Sequence, residues 1–472
     1  MSRFLRRFCA AVHHTAASGG GKGAEEKLKV TSEMLHPGIE LRLLETDRFK
    51  SAGVCVEMLL PLRKETASKA ALLVSVLRHA CAEYPDPRSV AKCCDRMYST
   101  GIGTVNERAG EIQIIGLADD FLSDECLPDG EEAVCPNIDL VGKFLFEPYL
   151  RTDADGKPCF DGDFLEQKKK DLIDAIREQI NNKVGYAVRR GQEETCRGEA
   201  FAVSVLGSEE AAREITARQL YEFYLETVAG AYVVITYVGR KADARRREAL
   251  RRIADRFAEA GKDGSPRTLP STEVIRRCET AREVVEEQPV KQGKMTLGFR
   301  TGKTLSDGDY YKFVMFNEVF GGSPTSRLFM NVREKLSLCY YCSSFAEPQK
   351  GVMFVASGIE NDNREKARAE ILAQLADIAA GNITDQELES ARKSVLSAYK
   401  AIYDSPAAIK RWYTGRMLAG ITTSPEEAAE QIRSVTAADV AACAAGVSFA
   451  CDYFMHGNAA DNAEDGEEGE EE

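Results

Sequence analysis

Apolar residues along the chain recur with two spacings, one typical of strands and the other typical of helices. Alternation over residues 38–62 predicts two strands joined by a turn near Asp47. Further strands are predicted over residues 110–117, 231–238 and 294–299. Apolar positions three or four residues apart predict helices over residues 67–79, 89–98, 136–145, 163–190 and 216–224. The chain is therefore expected to mix strands and helices in both of its halves.

The stretch over residues 323–341, SPTSRLFMNVREKLSLCYY, changes from a helical to a strand-like pattern. Ser323 is a good N-cap, and Pro324 suits the first helical position. Arg333 is then expected in the last turn of the helix and Tyr340 early in the strand. A guanidinium and a phenol O–H at this spacing could converge on one carbonyl oxygen. The alternative is that the two residues only stabilise the fold. The C-terminal end of a helix favours a cation, and a tyrosine on a strand is ordinarily half-buried.

The two halves of the chain resemble each other at an offset of about 220 residues, a period that indicates a duplicated domain rather than a solenoid. DFLEQKKKDLIDAI at 163–176 aligns with QELESARKSVLSAY at 386–399, and AYVVITYVG at 231–239 aligns with FACDYFMHG at 449–457. We therefore expect an α+β fold with two related α/β-sandwich domains, each an antiparallel sheet covered by helices.

The predicted domains are joined and flanked by segments of different composition. The N-terminal domain is expected over residues 29–240 and the C-terminal domain over 291–457. Between them, residues 241–290 are charged, contain several prolines and are predicted to be a linker with one helical part. Residues 1–28 and the acidic residues 458–472 are predicted to be disordered tails.

Composition excludes several classes of protein. With 472 residues, 44% hydrophobic and 29% charged, the chain is expected to be globular and to hold more than one core. Eight acidic residues among the last twelve account for much of the net charge of −13, and the remaining −5 offers no basic face for nucleic acid. No apolar run of about 18 residues is present, so no membrane span is expected. Without a secretion signal, we expect a cytoplasmic protein whose 14 cysteines are reduced.

These features resemble the insulinase/pitrilysin (M16) peptidase family. In its C-terminal repeat, an Arg followed by Gly-Leu-x-Tyr carries a substrate-binding Arg/Tyr pair. Arg333 and Tyr340 match that pair at the family's spacing, although Ser337 stands where the family usually has Gly. The resemblance extends roughly over residues 29–457 and implies the two-domain, LuxS/MPP-like architecture of M16 proteins.

Two further stretches, RHACAEYPD at 78–86 and FLEQKKKDL at 164–172, are similar to non-catalytic M16 members of Gram-positive bacteria. Those members are associated by name with the aminopentanol modification of elongation factor P. The likeness therefore implies a chain that has the family's fold without its catalytic activity.

Catalytic M16 members bind zinc through His-x-x-Glu-His on the first long helix and a Glu on a later helix. The resemblance assigns these roles to residues that cannot perform them as the family does: Ala71, Val74, Ser75 and Lys168. Lys168 would repel a cation, and none of the five histidines belongs to such a motif. The clustered residues His79, Cys81 and Glu83 do not share one helix face well. We therefore expect no metal and no cofactor.

The resemblance implies a non-catalytic subunit that lacks the zinc motif. It would supply Arg333 and Tyr340 for substrate binding to a catalytic M16 zinc-peptidase chain, forming a heterodimer that acts on a peptide. The alternative is a peptide-binding or scaffold protein with no role in proteolysis. A third hypothesis, an independent peptidase with a rebuilt site, would require stoichiometric zinc in the single chain.

Overall fold

The computed structural model describes residues 28–262 and 266–457, so all but Leu28 of the two predicted tails lie outside the described residues. The strands in these ranges are Lys29–His36 (β1), Ile39–Glu45 (β2), Ser51–Pro61 (β3), Gly103–Ala109 (β4), Ile112–Leu122 (β5), Leu150–Thr152 (β6), Pro158–Phe160 (β7), Tyr232–Gly239 (β8), Arg282–Glu287 (β9), Gly293–Arg300 (β10), Cys339–Glu347 (β11), Val352–Ile359 (β12) and Ser448–His456 (β13).

The helices of the N-terminal half are Lys64–His79 (α1), Pro87–Arg96 (α2), Val134–Phe146 (α3), Gly162–Glu178 (α4), Lys183–Thr195 (α5), Glu209–Glu214 (α6), Ala217–Gly230 (α7) and Ala244–Ala260 (α8). Those of the C-terminal half are Tyr310–Asn317 (α9), Arg364–Ala379 (α10), Asp385–Ala401 (α11), Pro406–Leu418 (α12), Pro425–Ser434 (α13) and Ala437–Ala445 (α14). Two further segments, Glu318–Gly322 and Leu328–Lys335, are π-helical. No helix in the described ranges is long and apolar enough to cross a membrane.

The two large sheets share one topology. In the N-terminal half the strand order is β1-β2-β8-β3-β5-β4, and in the C-terminal half it is β11-β12-β10-β13-β9. Without β1, the two orders correspond when one of them is reversed. Strands β2, β8, β3, β5 and β4 then take the places of β9, β13, β10, β12 and β11. Among the described strands, each sheet has one parallel pair, β2 with β8 and β13 with β9, and its other pairs are antiparallel. The predicted α+β fold with two related, helix-covered antiparallel sheets is confirmed.

Alternation within the strands gives each sheet two apolar faces. In β10, Met295, Leu297 and Phe299 point into the core beneath the helices of their own half. The residues between them, among them Thr296, point to the opposite face, where the Thr296 hydroxyl donates to the carbonyl of Ala187 at 3.2 Å. Since Ala187 lies in α5, a helix of the N-terminal half covers the second face of the C-terminal sheet.

A helix of the C-terminal half likewise covers the sheet of the N-terminal half. Helix α12 of the C-terminal half lies on the second face of the N-terminal sheet, where Ile409 and Tyr413 pack with Leu44 and Val238. Lys410 of the same helix reaches Glu57 of β3, with Nζ 2.6 Å from Oε1. Each sheet is thus covered on one face by its own helices and on the other by one helix of its counterpart, which joins the two halves through buried contacts.

The prediction of one continuous helix over residues 163–190 is wrong. The chain leaves α4 at Glu178, passes through a short 3-10 turn and starts α5 after Asn182. Asn182 has φ −88° and ψ 81°, and its side chain accepts a hydrogen bond from the amide of Gly185 at 3.1 Å. This cap starts a new helix in a new direction, and the break carries α5 from its own half onto the other sheet.

The segment over residues 241–290, predicted to be a linker, belongs largely to the two domains. Helix α8 buries Leu250, Ile253 and Phe257 in the N-terminal core, and β9 pairs with β13 in the C-terminal sheet. Apart from the buried Arg246, the charges of α8 are half-buried or exposed, which explains why composition alone indicated a linker. Between these elements, the half-buried guanidinium of Arg267 donates to three backbone carbonyls at 2.6–2.7 Å and holds the chain against the N-terminal domain.

Candidate functional site

The segment that carries Arg333 begins later than predicted. Ser323 follows the π-helical segment Glu318–Gly322 instead of capping a helix, and its hydroxyl lies 3.2 Å from that of Thr325. The second π-helical segment, Leu328–Lys335, starts after Arg327. Arg333 lies in its last turn and Tyr340 is the second residue of β11, as the pattern predicted.

Arg327 anchors this segment to the C-terminal domain. Its side chain is buried, and Nε donates to Glu387 at 2.7 Å. Other guanidinium nitrogens donate to Asp377 and to the carbonyl of Asn382, so the guanidinium joins the loop between α10 and α11 to the start of the segment. The sequence analysis missed Arg327, because its partners are 50 to 60 residues away and no local pattern signals them.

The backbone between Arg333 and Tyr340 departs from regular helix geometry. The amide of Leu336 donates to the carbonyl of Asn331 at 3.1 Å, which is the five-residue spacing of a π-helix. Ser337 then takes φ +51°, in the left-handed region that favours glycine. The sequence places Ser where M16 proteins usually have Gly, and the backbone nevertheless adopts the glycine-type conformation.

Tyr340 is the extra residue of a β-bulge. Cys339 lies opposite Ile359 and Tyr341 lies opposite Gly358, so Tyr340 has no partner on β12. Its side chain is 60% exposed, and its hydroxyl donates to Glu360. This hydrogen bond to a carboxylate raises the pKa of Tyr340, so the phenol keeps its proton and remains a donor.

Arg333, seven residues before Tyr340, is partly exposed. Its guanidinium lies 4.6 Å from the centre of the Phe329 ring and 3.6 Å from the carboxylate of Glu334. Arg333 and Tyr340 therefore have separate partners. Two large apolar side chains near Arg333 in the sequence are also exposed, Met330 at 47% and Leu336 at 44%. The surface thus combines two hydrogen-bond donors with apolar area, which suits an extended peptide.

The positions predicted to replace the zinc ligands do not fit a metal. Ala71 and Val74 are buried in the N-terminal core and have no donor atom. The Ser75 hydroxyl donates to the Ala71 carbonyl at 3.1 Å within α1, and Lys168 pairs with Asp171 at 2.8 Å. Carbon side chains and an ammonium group cannot supply the nitrogen and oxygen ligands that zinc requires.

The cluster of His79, Cys81 and Glu83 does not converge either. The His79 ring packs edge-on against Phe164, with ring centres 4.4 Å apart, and Glu83 pairs with Lys143. Burial is the main cause that lowers the pKa of His79, and the charge of Lys168 lowers it further. In the part of the chain that the structure describes, no group of three or more His, Cys, Asp or Glu residues is arranged to hold a metal ion.

Comparison with known proteins gives consistent results. Residues 214–395 match the family profile described as the Peptidase M16 inactive domain. The chain is 28% identical over 424 residues to a protein of Bacillus subtilis described as the probable inactive metalloprotease YmfF. That match includes 89% of this chain and 96% of the relative.

Solved structures show the same fold. A conserved protein from Enterococcus faecalis superposes with a TM-score of 0.80 at 24% identity, over 91% of this chain and 99% of that chain. A Pseudomonas fluorescens protein described as a peptidase M16 inactive domain superposes with a TM-score of 0.72 at 19% identity, over 91% and 98% of the two chains. In its profile match, its full-length similarity and its fold, the chain is thus similar to inactive members of the M16 peptidase family, and its sequence lacks the His-x-x-Glu-His motif.

Proposed function

We propose that this chain is a non-catalytic M16 subunit that presents Arg333 and Tyr340 to a peptide held against a zinc-bearing M16 partner chain. In this role Arg333 would bind the peptide backbone or polarise the scissile carbonyl. Tyr340 would donate a hydrogen bond to the oxyanion that develops there. The partner would supply the metal and the general base that this chain lacks.

The observation that carries the proposal is a concentration of irregular backbone around the two side chains. The π-helical segment that ends at Lys335, the left-handed Ser337 and the bulge at Tyr340 lie within thirteen residues. Each of these features either disrupts the regular backbone hydrogen bonds or raises the conformational energy of the backbone. Such features persist where the surrounding structure imposes them. A pair that served only for packing would not require three of them.

The surroundings of the pair also support this role. The buried guanidinium of Arg327 forms ion pairs with Asp377 and Glu387, which fix the start of the segment that carries Arg333. Two of the zinc-motif positions, in contrast, hold the core side chains of Ala71 and Val74, and Lys168 places a cation at a third. The chain therefore keeps two hydrogen-bond donors, Arg333 and Tyr340, but has no zinc ligands at the positions of the zinc motif. This combination is expected of one half of a two-chain peptidase.

The test is to purify the chain from its native organism and to identify co-purifying proteins by mass spectrometry. We expect a chain of similar size that carries His-x-x-Glu-His, in near one-to-one ratio. The reconstituted pair is then assayed on a quenched fluorescent peptide library. Because one oxyanion donor contributes about 100-fold to 1000-fold in rate, Arg333→Ala and Tyr340→Phe should each reduce turnover to this degree while the complex remains assembled.

Matched controls come from the same chain. Lys335→Ala removes an exposed cation two residues from Arg333, and Tyr98→Phe removes the hydroxyl of another tyrosine on the surface. Both should leave turnover unchanged. Recovery of the chain alone, or full activity in the Arg333 and Tyr340 variants, would contradict the proposal and favour a peptide-binding or scaffold protein without a role in proteolysis.

A further inference from the structure

Two cysteines flank Tyr340, and the bulge turns both toward the same side of the sheet. Residues three apart on a regular strand point to opposite faces. The extra residue in the bulge shifts this alternation by one position, so that residues three apart point to the same face. Cys339 and Cys342 consequently both face the C-terminal core, opposite Ile359 and Ser357 of β12. The bulge that exposes Tyr340 therefore also places two thiols side by side.

The expected separation of the two cysteine Cα atoms is close to the range found in disulfides. Their partners on β12 are two positions apart, and two positions on a regular strand place Cα atoms about 6.8 Å apart. Disulfides join Cα atoms about 4.4–6.8 Å apart, so a bond requires only a small contraction of the bulge. Each of the two side chains is the largest single influence on the pKa of the other.

The two thiols differ in character. The hydrogen bond from Cys342 is the largest cause that lowers the pKa of Cys339; burial opposes it, while Ser357 and the positive charge of Arg333 lower the pKa further. The same hydrogen bond, together with burial, raises the pKa of Cys342 well above its ordinary value. Cys339 thus has the character of an attacking thiol and Cys342 that of a resolving thiol.

Access also favours Cys339. Strand β11 is the edge strand of the C-terminal sheet in the described part of the chain, and Cys339 is its first residue. The side chain of Cys339 is 9% exposed, whereas that of Cys342 is 3% exposed. A small reagent that approaches this edge therefore meets Cys339 before Cys342.

We propose that Cys339 and Cys342 are a redox-active dithiol that forms a disulfide with a low-molecular-weight disulfide as the oxidant. The Cys339 thiolate attacks one sulfur of the oxidant RSSR, forms a mixed disulfide and releases RS⁻, which takes up a proton. The Cys342 thiol then loses its proton and attacks the Cys339 sulfur, which expels the second RSH. The protein loses two electrons and two protons, and one RSSR becomes two RSH.

This bond would contract the bulge that presents Tyr340. The consequence, a donor surface controlled by thiol oxidation, rests on the function proposed above. The dithiol itself does not depend on that function, because its chemistry involves only this chain and the oxidant.

The test uses the purified full-length chain without any partner. The folded protein is treated with oxidised glutathione, its free thiols are blocked by alkylation, and the protein is then digested with trypsin. Cleavage after Lys335 and Lys350 releases one peptide, LSLCYYCSSFAEPQK, that contains both cysteines and no other. We expect this peptide to have lost two hydrogens and to be unalkylated, and reduction before blocking should restore two alkylated thiols.

Single substitutions test the order of attack. Cys342→Ser should trap glutathione on Cys339, because the resolving thiol is missing. Cys339→Ser should leave Cys342 alkylated and free of glutathione. The adjacent residues Cys93 and Cys94 provide an internal control and should remain reduced under the same conditions. A fully alkylated peptide in the treated wild-type protein, or equal glutathione capture by both variants, would overturn the proposal.

The two proposals can fail separately. Thiol mapping on the isolated chain decides whether the dithiol exists, whatever the peptidase assay shows. If the dithiol is present and the Arg333 variant retains full activity in the reconstituted pair, the redox site remains and the proposed function falls.

Discussion

Lys350 Nζ lies 2.6 Å from Glu111 Oε1, so that a fully buried ammonium group of the C-terminal half pairs with a carboxylate of the N-terminal half. The same nitrogen lies 2.6 Å from Glu199 and 2.6 Å from the carbonyl of Glu273. Three acceptors from three separate segments therefore surround one charge. This arrangement satisfies a group whose burial would otherwise be strongly unfavourable.

Replacing this lysine tests how strongly the two halves are coupled. Lys350→Met keeps the length of the side chain but removes the cation that pairs with Glu111, and it leaves Glu199 with Arg300 alone. Removing one partner of a buried ion pair costs about 3–5 kcal/mol, and we expect a loss of that size in urea unfolding monitored by fluorescence. Lys366→Met, at an exposed position of α10, should change stability by less than about 0.5 kcal/mol. Equal effects of the two variants would contradict the role given to Lys350.

Gly191 tests the exchanged helix α5. A Cβ atom at this position would lie 2.4 Å from Cγ2 of Thr296 on the C-terminal sheet. Gly191→Ala should therefore destabilise the protein by about 1–3 kcal/mol, since the helix would have to move away from the sheet. Gly142→Ala, also within a helix, meets its nearest neighbour at 3.6 Å and should stabilise by about 0.5–1 kcal/mol. Thermal unfolding of both variants measures the contrast, and a stabilising Gly191→Ala would refute the close packing.

Asp119 gives a prediction about pH. Burial raises the pKa of this carboxyl from 3.8 to about 6, although the Thr100 hydroxyl donates to it, and its Oδ2 atom has no hydrogen-bond partner among the described residues. The folded protein therefore binds the proton more tightly than the unfolded chain does. The destabilisation is fully present above about pH 6 and is relieved as the pH falls toward 3.8.

Asp119→Asn should remove this penalty. We expect the variant to be more stable than the wild type by about 1–3 kcal/mol at pH 8, with the advantage vanishing near pH 4. Unfolding curves measured across this range provide the test, and Asp129→Asn at an exposed loop position serves as the control. A gain that did not depend on pH would show that charge burial is not its cause.

Ser337 gives a prediction at the candidate site. The left-handed conformation raises the conformational energy of a residue with a Cβ atom by about 1 kcal/mol, whereas glycine adopts it without this penalty. Ser337→Gly should therefore stabilise the protein by up to about 1 kcal/mol, once the greater freedom of glycine in the unfolded chain is subtracted. Ser271→Gly, in extended chain with negative φ, should have the opposite effect. Differential scanning calorimetry of the two variants decides between these outcomes.

Local sequence patterns predicted many elements because their causes are local. The capping box formed by Thr216 and Gln219 starts α7 as expected. The helical spacing of apolar residues located α1 and α3, and the similarity of 163–176 to 386–399 identified helices α4 and α11, which are equivalent in the two halves. Arg333 and Tyr340 lie on a helical turn and a strand as predicted, and their role in substrate binding stays a prediction.

The sequence alone determined the duplicated α+β fold and the absence of the zinc motif, because periodicity, repetition and residue type can be read without coordinates. Only the tertiary structure decided where α5 packs, which acceptors surround Lys350, and that Cys339 and Cys342 share one face. These features arise from contacts between distant segments, such as Thr296 with Ala187, or from a single extra residue in a strand. The energies of such contacts depend on how the sheets and helices meet in space, which no local pattern of residues records.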